Sequence, residues 1–271
     1  MFGISRQAYY QEIQRAKVRS EELSQVKSMV QGIRIQMPRL GTRKLYFLLK
    51  QDFENKGIKI GRDALFRYLK TEHMLIKPKK RYTKTTNSKH WLRKHPNLIK
   101  NMNIEKPNQV YVSDITYIKS KEKTHYLSLI TDAYSKKIVG HHLSDNMNTE
   151  NVAKALKMAV KGKQFNQSLI HHSDRGLQYC AEYYQEILLK HGIKTSMTDG
   201  YDCYQNAIAE RVNGILKDEF ILFKPNTKME LKRIIDESIA MYNSKRPHLA
   251  LNYKTPNFIH EKAAELIRPK A

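Results

Sequence analysis

The chain has 271 residues, with 49 Lys and Arg against 26 Asp and Glu, so its formal net charge is +23. That length, at 40% hydrophobic residues, supports one large domain or two modest ones and excludes wholesale disorder. Only Cys180 and Cys203 are available as thiols, which excludes a disulfide framework and a cysteine-rich zinc module.

No apolar run of about 18 residues exists to cross a membrane, and the opening MFGISRQAYY lacks the apolar stretch of a signal peptide. The expectation is a soluble protein of a reducing compartment, with nucleic acid as the first partner to consider.

In chain order, residues 20–36 place Leu23, Val26, Val30 and Ile33 at spacings of three and four, which predicts a helix. After Pro38 and Gly41, Thr42 can cap a second helix with Leu45, Leu48 and Leu49 on one face. Gly57 breaks the chain. A third helix from about Gly61 turns Ala64, Leu65, Tyr68 and Leu69 inward and presents Arg62, Arg67 and Lys70 outward. Two short helices with a basic second member are what a helix-turn-helix needs to dock in a DNA groove.

Residues 77–106 hold ten basic residues and one acid, with Pro78 and Pro96 and no clear periodicity; they read as a basic linker. Residues 1–106 carry 25 Lys and Arg against 8 acids, while residues 107–271 carry 24 against 18, so phosphate neutralisation is expected mainly from the N-terminal part.

From residue 109 the texture changes. QVYVSDITYI, THYLSLITDAY and KKIVGHHL predict three successive strands. A helix over 149–161, a strand in SLIHHS, a helix over 178–190, a short strand near IKTSM and helices over 206–220 and 228–243 follow. This order predicts an α/β fold, a mixed sheet flanked by helices.

Three acids stand out. Asp114 lies within the first strand, Asp174 at the exit of SLIHHS, and Glu210 early in the helix after residue 206. At about 100° per residue, Ile208, Val212, Ile215 and Leu216 form one stripe, with Glu210, Asn213 and Lys217 nearly opposite. Each acid alone has an ordinary use in a turn, a cap or a solvated surface. Together, on a basic protein, they suggest a hard-cation site of oxygen ligands for phosphoryl chemistry, although spacing by itself does not bring them together.

These segments resemble a known family. HHSDRGLQY with Asp174, the 35 residues up to Glu210 in NAIAER, and VYVSDITYI with Asp114 are similar to the motifs of the DDE transposases. The match is closest to the OrfB-type transposases of bacterial insertion sequences, with a retroviral-integrase-like catalytic core. YNSKRPHLALNYKTP resembles the family's C-terminal signature, and GISRQAYY and PRLGTRKLYFLL its N-terminal helical region. Tyr111 stands where the family commonly has Trp, and Gln205 where an Asp usually precedes the Asn-Ala pair. A retroviral integrase would add a His-His-Cys-Cys zinc module, and no cysteine precedes Cys180.

The resemblance implies an RNase H-like core over 105–225, a helical DNA-binding region over 1–76, a basic linker over 77–104 and a C-terminal helical extension over 226–271. It implies Asp114, Asp174 and Glu210 as catalytic and metal-binding residues, with Mg²⁺ or Mn²⁺, two ions, cutting a DNA strand and joining it elsewhere. Arg62, Arg67, Lys70, Lys217 and Arg246 are the expected DNA contacts. The expected partners are duplex DNA, further copies of the chain on that DNA, and an upstream helix-turn-helix protein as fusion or partner. The expected location is the bacterial cytoplasm, with the nucleoid. A structure-specific nuclease with the same core and a DNA-binding regulator with a decayed core are the alternatives.

Other polar residues are expected to be structural. His171 and His172 point to opposite strand faces, His171 into the core and His172 nearer the site. Asp132 starts a turn, Asp199 and Asp202 are rival third ligands, and both thiols are ordinary. Trp91 is expected to dock on the core rather than stack on a base.

Overall fold

In the computed structural model, which describes residues 5–77, 91–162, 168–199 and 206–267, the first helix begins well upstream of the expected residue 20. It is α1 (Arg6–Gln36), capped by Ser5, whose hydroxyl accepts from the Ala8 amide at 3.2 Å. Good helix formers fill its first turns, but its buried residues are Val26 and Val30, so the upstream part carries no apolar period to reveal it.

α2 (Thr42–Asn55) has Gly41 rather than Thr42 at its N-cap, and α3 is Arg62–Thr71. Gly57, at φ +68°, supplies the left-handed residue that ends α2 and lets the Ile58 amide return to the Phe53 carbonyl at 2.9 Å. Leu45, Leu49, Phe53, Leu65 and Leu69 join Val26 and Val30 in burial. Arg34 ties the end of α1 to the chain beyond α3 by donating to the Met74 carbonyl at 2.7 Å. These helices form the first of two units, Met1–Lys79 and Lys80–Ala271.

The second unit is built on β1 (Val110–Lys119), β2 (Thr124–Asp132), β3 (Ile138–Ser144), β4 (Ile170–Ser173) and β5 (Lys194–Met197), ordered β3-β2-β1-β4-β5. β1 pairs antiparallel with β2 and parallel with β4. On one face α4 (Thr149–Lys161), α5 (Leu177–Cys180) and α6 (Glu182–Lys190) cover Tyr111 and Ile130 with Leu156, Tyr179, Tyr184 and Leu188. On the other, Val110 and Val112 meet Ala209 of α7 (Ala207–Ile215). The alternation along β1 therefore puts Asp114 on the α7 face.

Gly140 is where β3 meets α4: a Cβ there would stand 2.2 Å from the Ala155 carbonyl oxygen.

Two expected helices are interrupted. The one over 178–190 breaks at Ala181, which is extended (ψ 140°). Residues five apart on a continuous helix diverge by about 140°; the break lets Tyr179 and Tyr184 both turn inward, edge to face, with centroids 5.4 Å apart. The helix over 206–220 ends as α7 and continues as a π-turn, Leu216–Phe220.

α8 (Lys228–Ser244) and α9 (Pro256–Ile267) close the chain. The expected basic linker lies partly outside the described residues, at 78–90. Its remainder straps the second unit: the Leu98 amide donates to Ser196 Oγ at 2.9 Å, and Leu92, Ile99, Met102 and Ile104 pack on the two cores. Trp91 does not dock on the core as expected; it is 92% exposed, and Leu92 fills that role.

The C-terminal motif is a clamp. Asn243 accepts from the Ile138 amide at 2.9 Å and donates to the Ile138 carbonyl at 3.0 Å, pairing with edge strand β3 as another strand would. Tyr242 donates to the Lys136 carbonyl at 3.0 Å and packs edge to face on His248.

Arg246 corrects an expectation. Its guanidinium is 3% exposed and grips Glu219 with two bonds, Nε to Oε2 at 2.8 Å and Nη2 to Oε1 at 2.6 Å. A buried fork already filled by a carboxylate is not available to a DNA phosphate, so Arg246 is a structural residue.

Candidate active site

Asp114 lies in central strand β1, half-buried, beside the polar side of α7. One carboxylate oxygen accepts from the Ile115 amide at 2.9 Å and the other from Asn213 Nδ2 at 2.7 Å. Asp174 follows β4, which lies next to β1. It sits in a tight turn where the Gly176 amide donates to its Oδ1 at 3.0 Å. Glu210 is exposed in the first turn of α7.

The three acids influence one another. Burial pushes the Asp114 carboxyl up to about 7, the charge of Asp174 and, less strongly, that of Glu210 add to the rise, and the bonds from Asn213 and Ile115 oppose it. Burial and then Asp174 also raise Glu210. The strand order thus brings Asp174, at the exit of β4, beside Asp114 in the middle of β1, with α7 and Glu210 on the same face. Among the described residues no three His, Cys, Asp or Glu side chains stand in one coordination shell. The acids are near enough to shift each other's protonation without being drawn together. Carboxylates that repel one another in this way are the donor set a hard divalent cation relieves, so these residues fit Mg²⁺ or Mn²⁺.

The other expected site residues divide. Lys217 does share the Glu210 side of the helix, but only Glu210 is exposed there: Lys217 Nζ donates to Thr116 Oγ1 of β1 at 2.9 Å, and Asn213 is buried. Arg62, Arg67 and Lys70 lie exposed on α3, with Arg62 Nε on Asp63 at 2.8 Å and Phe66 48% exposed among them. They belong to the first unit, and Arg246, in the second, belongs to the clamp.

His172 reaches Ser196 Oγ at 2.8 Å, and His171 pairs with the Tyr184 hydroxyl at 3.0 Å. Burial, reinforced by His172, drives His171 down to about 3 and keeps it neutral. Asp132 is buried and accepts from the Asn108 and Ser135 amides at 2.6 and 2.7 Å, fastening the turn after β2. Asp199 meets Lys100 at 3.5 Å; Asp202, Cys203 and Gln205 lie outside the described residues. Cys180 is buried against Met197, and burial raises its thiol to about 11, an inert state.

Sequence reasoning did not assign a role to Asn206 or Asn213, whose amides reach the Ser113 carbonyl and Asp114. The available signal was the shared helical face of Asn213 and Glu210.

A mixed five-stranded sheet with two antiparallel hairpin strands, two parallel crossover strands and helices on both faces defines an RNase H-like integrase core. Residues 104–203 and 191–256 match two family models, both described as Integrase core domain. The Insertion element IS600 uncharacterized 31 kDa protein of Shigella sonnei is 37% identical over 268 residues, 97% of each chain. The transposase for insertion sequence element IS904 of Lactococcus lactis subsp. lactis (strain IL1403) is 36% identical over 176 residues, 62% of this chain and 70% of that one. Among solved structures, the simian T-cell lymphotropic virus intasome in complex with PP2A regulatory subunit B56 gamma is 17% identical with a TM-score of 0.54, over 86% of this chain and 75% of that one; it bears on the fold alone. The chain belongs to the OrfB-type transposases of bacterial insertion sequences, which are DDE-type polynucleotidyl transferases.

Proposed function

We propose that this transposase cuts a DNA strand at the ends of its mobile element and joins the freed 3′ end to a new phosphate, with Asp114, Asp174 and Glu210 as its catalytic carboxylates. The observation that carries the reading is geometric: β4, whose exit carries Asp174, pairs with β1 beside Asp114, and Asn213, one turn after Glu210 on α7, donates to the Asp114 carboxylate at 2.7 Å.

Asp114 and Asp174 would hold two Mg²⁺ or Mn²⁺ ions, with Glu210 completing the shell of one. Bound ions supply Lewis-acid activation of the attacking oxygen and neutralise charge on the leaving oxygen. The chain's own part is placement. Asn213 and the Ile115 amide fix both oxygens of Asp114, the Gly176 amide fixes Asp174, and α7 carries Glu210 one turn before Asn213. Lys217, anchored on Thr116 two residues beyond Asp114, is placed to meet a phosphate of the reacting strand.

Arg62, Arg67 and Lys70 on α3 form the surface proposed to read duplex DNA, in the manner of a recognition helix. Likeness to the OrfB-type transposases supports further copies of the chain on the DNA, bringing the element's two ends together. An upstream helix-turn-helix protein would add to end recognition. Among the described residues no helix is long and apolar enough to cross a membrane, and the reading places the chain with the nucleoid in the cytoplasm.

The test supplies the full chain with intact and, separately, pre-cleaved element-end duplexes and Mg²⁺ or Mn²⁺. Strand-transfer products are expected, and Asp114→Asn, Asp174→Asn and Glu210→Gln should each abolish them while retaining DNA binding. Cleavage without joining would make the protein a nuclease. Binding without either reaction would make it a regulator. Full activity in Glu210→Gln with loss in Asp199→Asn would move the third ligand.

A further inference from the structure

Asn213 follows Glu210 by three residues, on the same side of α7, and is 4% exposed. A carboxylate accepts and does not donate, so it is the Nδ2 end of the amide that faces Asp114 Oδ2 at 2.7 Å. The Ile115 amide holds Oδ1, so the carboxylate is fixed at both oxygens. Two more side chains fasten the same helix to the same strand: Asn206 Nδ2 donates to the Ser113 carbonyl at 3.0 Å, and Lys217 Nζ to Thr116 Oγ1 at 2.9 Å. Residues 206, 213 and 217 thus meet β1 at 113, 114 and 116. Glu210 rides between the first two, its distance from Asp114 set by bonds it does not make.

The other end of the Asn213 amide is not used: its Oδ1 is buried without a hydrogen-bond partner. Leaving a buried acceptor unpaired costs its full desolvation penalty. For packing alone, an apolar side chain of similar volume would avoid that cost. The residue therefore makes sense through its donating end, aimed at the acid.

We propose that Asn213 is a positioning residue for the phosphoryl-transfer site, holding the Asp114 carboxylate in the orientation that receives a divalent cation and locking it in register with Glu210. The inference rests on the reading of Asp114 as a metal ligand.

The experiment uses the full chain carrying Asn213→Ala or, to keep the volume, Asn213→Leu. Mn²⁺ binding is measured by titration calorimetry on the DNA-free protein, with the Mg²⁺ dependence of strand transfer, duplex binding in EDTA and thermal unfolding alongside. Mn²⁺ affinity is expected to fall about 10-fold or more, the usual scale for groups that orient a ligand. The Mg²⁺ concentration for half-maximal activity should rise in step, and turnover should drop with KM for DNA unchanged. In Asn213→Leu the loss of Mn²⁺ affinity should persist at temperatures where the variant is fully folded, a combination a merely structural role does not produce.

Unchanged Mn²⁺ affinity and turnover in both variants would overturn the proposal, as would losses that track only the fraction of folded protein. Asp114→Asn separates the two levels. If it binds Mn²⁺ weakly while the Asn213 variants bind normally, the positioning role alone fails; if it binds like the wild type, the site reading fails with it.

Discussion

Replacing Asp114 with Asn should stabilise the metal-free protein while destroying its activity. In the folded chain this carboxyl is raised from its ordinary value of 3.8 to about 7, chiefly by burial and then by Asp174. The native state then holds the proton more tightly than the unfolded chain. The group costs nothing below its unfolded value, stability falls as pH rises from 3.8 to about 7, and the full cost persists above that. At about 1.4 kcal/mol per pH unit, the charged form costs on the order of 4 kcal/mol at pH 8 and about 1.6 kcal/mol at pH 5.

The amide removes this cost but has one acceptor oxygen where Asp114 uses two, so it forfeits a hydrogen bond, worth about 1–1.5 kcal/mol. The net expectation is little change at pH 5 and a gain of about 3 kcal/mol at pH 8. For a unit of this size that is roughly 6–12 °C in melting temperature. The assay is thermal unfolding of both proteins in EDTA at the two pH values, repeated with Mn²⁺. Mn²⁺ at one hundred times Kd should stabilise the wild type by about 2.7 kcal/mol and so raise its melting point, and leave the variant unmoved. An equal gain at pH 5 and pH 8 would refute the electrostatic argument, and equal stabilisation of both proteins by Mn²⁺ would refute Asp114 as a ligand.

Gly140→Ala drives a methyl group into the Ala155 carbonyl and to 2.9 Å from the Ala159 Cβ, so β3 and α4 must separate; urea unfolding should show a loss of about 2–3 kcal/mol, and no loss would mean the contact is not close. Arg246→Met leaves the half-buried Glu219 without its fork and should cost about 2–3 kcal/mol, with the salt dependence of DNA binding unchanged; a shallower slope with wild-type stability would return Arg246 to the DNA contacts. Arg67→Ala on α3 should reduce the slope of log K against log salt by about 0.9 and weaken discrimination of element-end from random duplex, whereas Lys217→Ala should slow strand transfer more than it weakens binding. Unchanged slope and discrimination in Arg67→Ala would leave α3 a purely structural helix.

What was legible in the sequence follows from which forces leave a local trace. A strand with one face in the core and an acid among its apolar neighbours is visible in VYVSDITYI, and β1 lies where that pattern puts it, with Asp114 on the α7 face. Periodicity reports only helices with a packed stripe, so it located α4 to the residue and missed the start of α1, where no buried residue precedes Val26. Pairings across long separations leave no trace at all. Arg246 looks like any basic residue of a basic protein until Glu219, 27 positions earlier, is brought to it.

The case of α7 is subtler, because one polar stripe there has two surroundings. Glu210, Asn213 and Lys217 do lie opposite the apolar stripe, and a polar stripe ordinarily means solvent. Here Glu210 stays exposed while Asn213 and Lys217 meet the middle of β1, where Asp114 and Thr116 supply a carboxylate and a hydroxyl as acceptors. A helical wheel gives the polarity of a face but not the identity of what it meets. At a site built from charged groups, a polar face can be buried for the same reason that it would elsewhere be exposed: its donors have found acceptors.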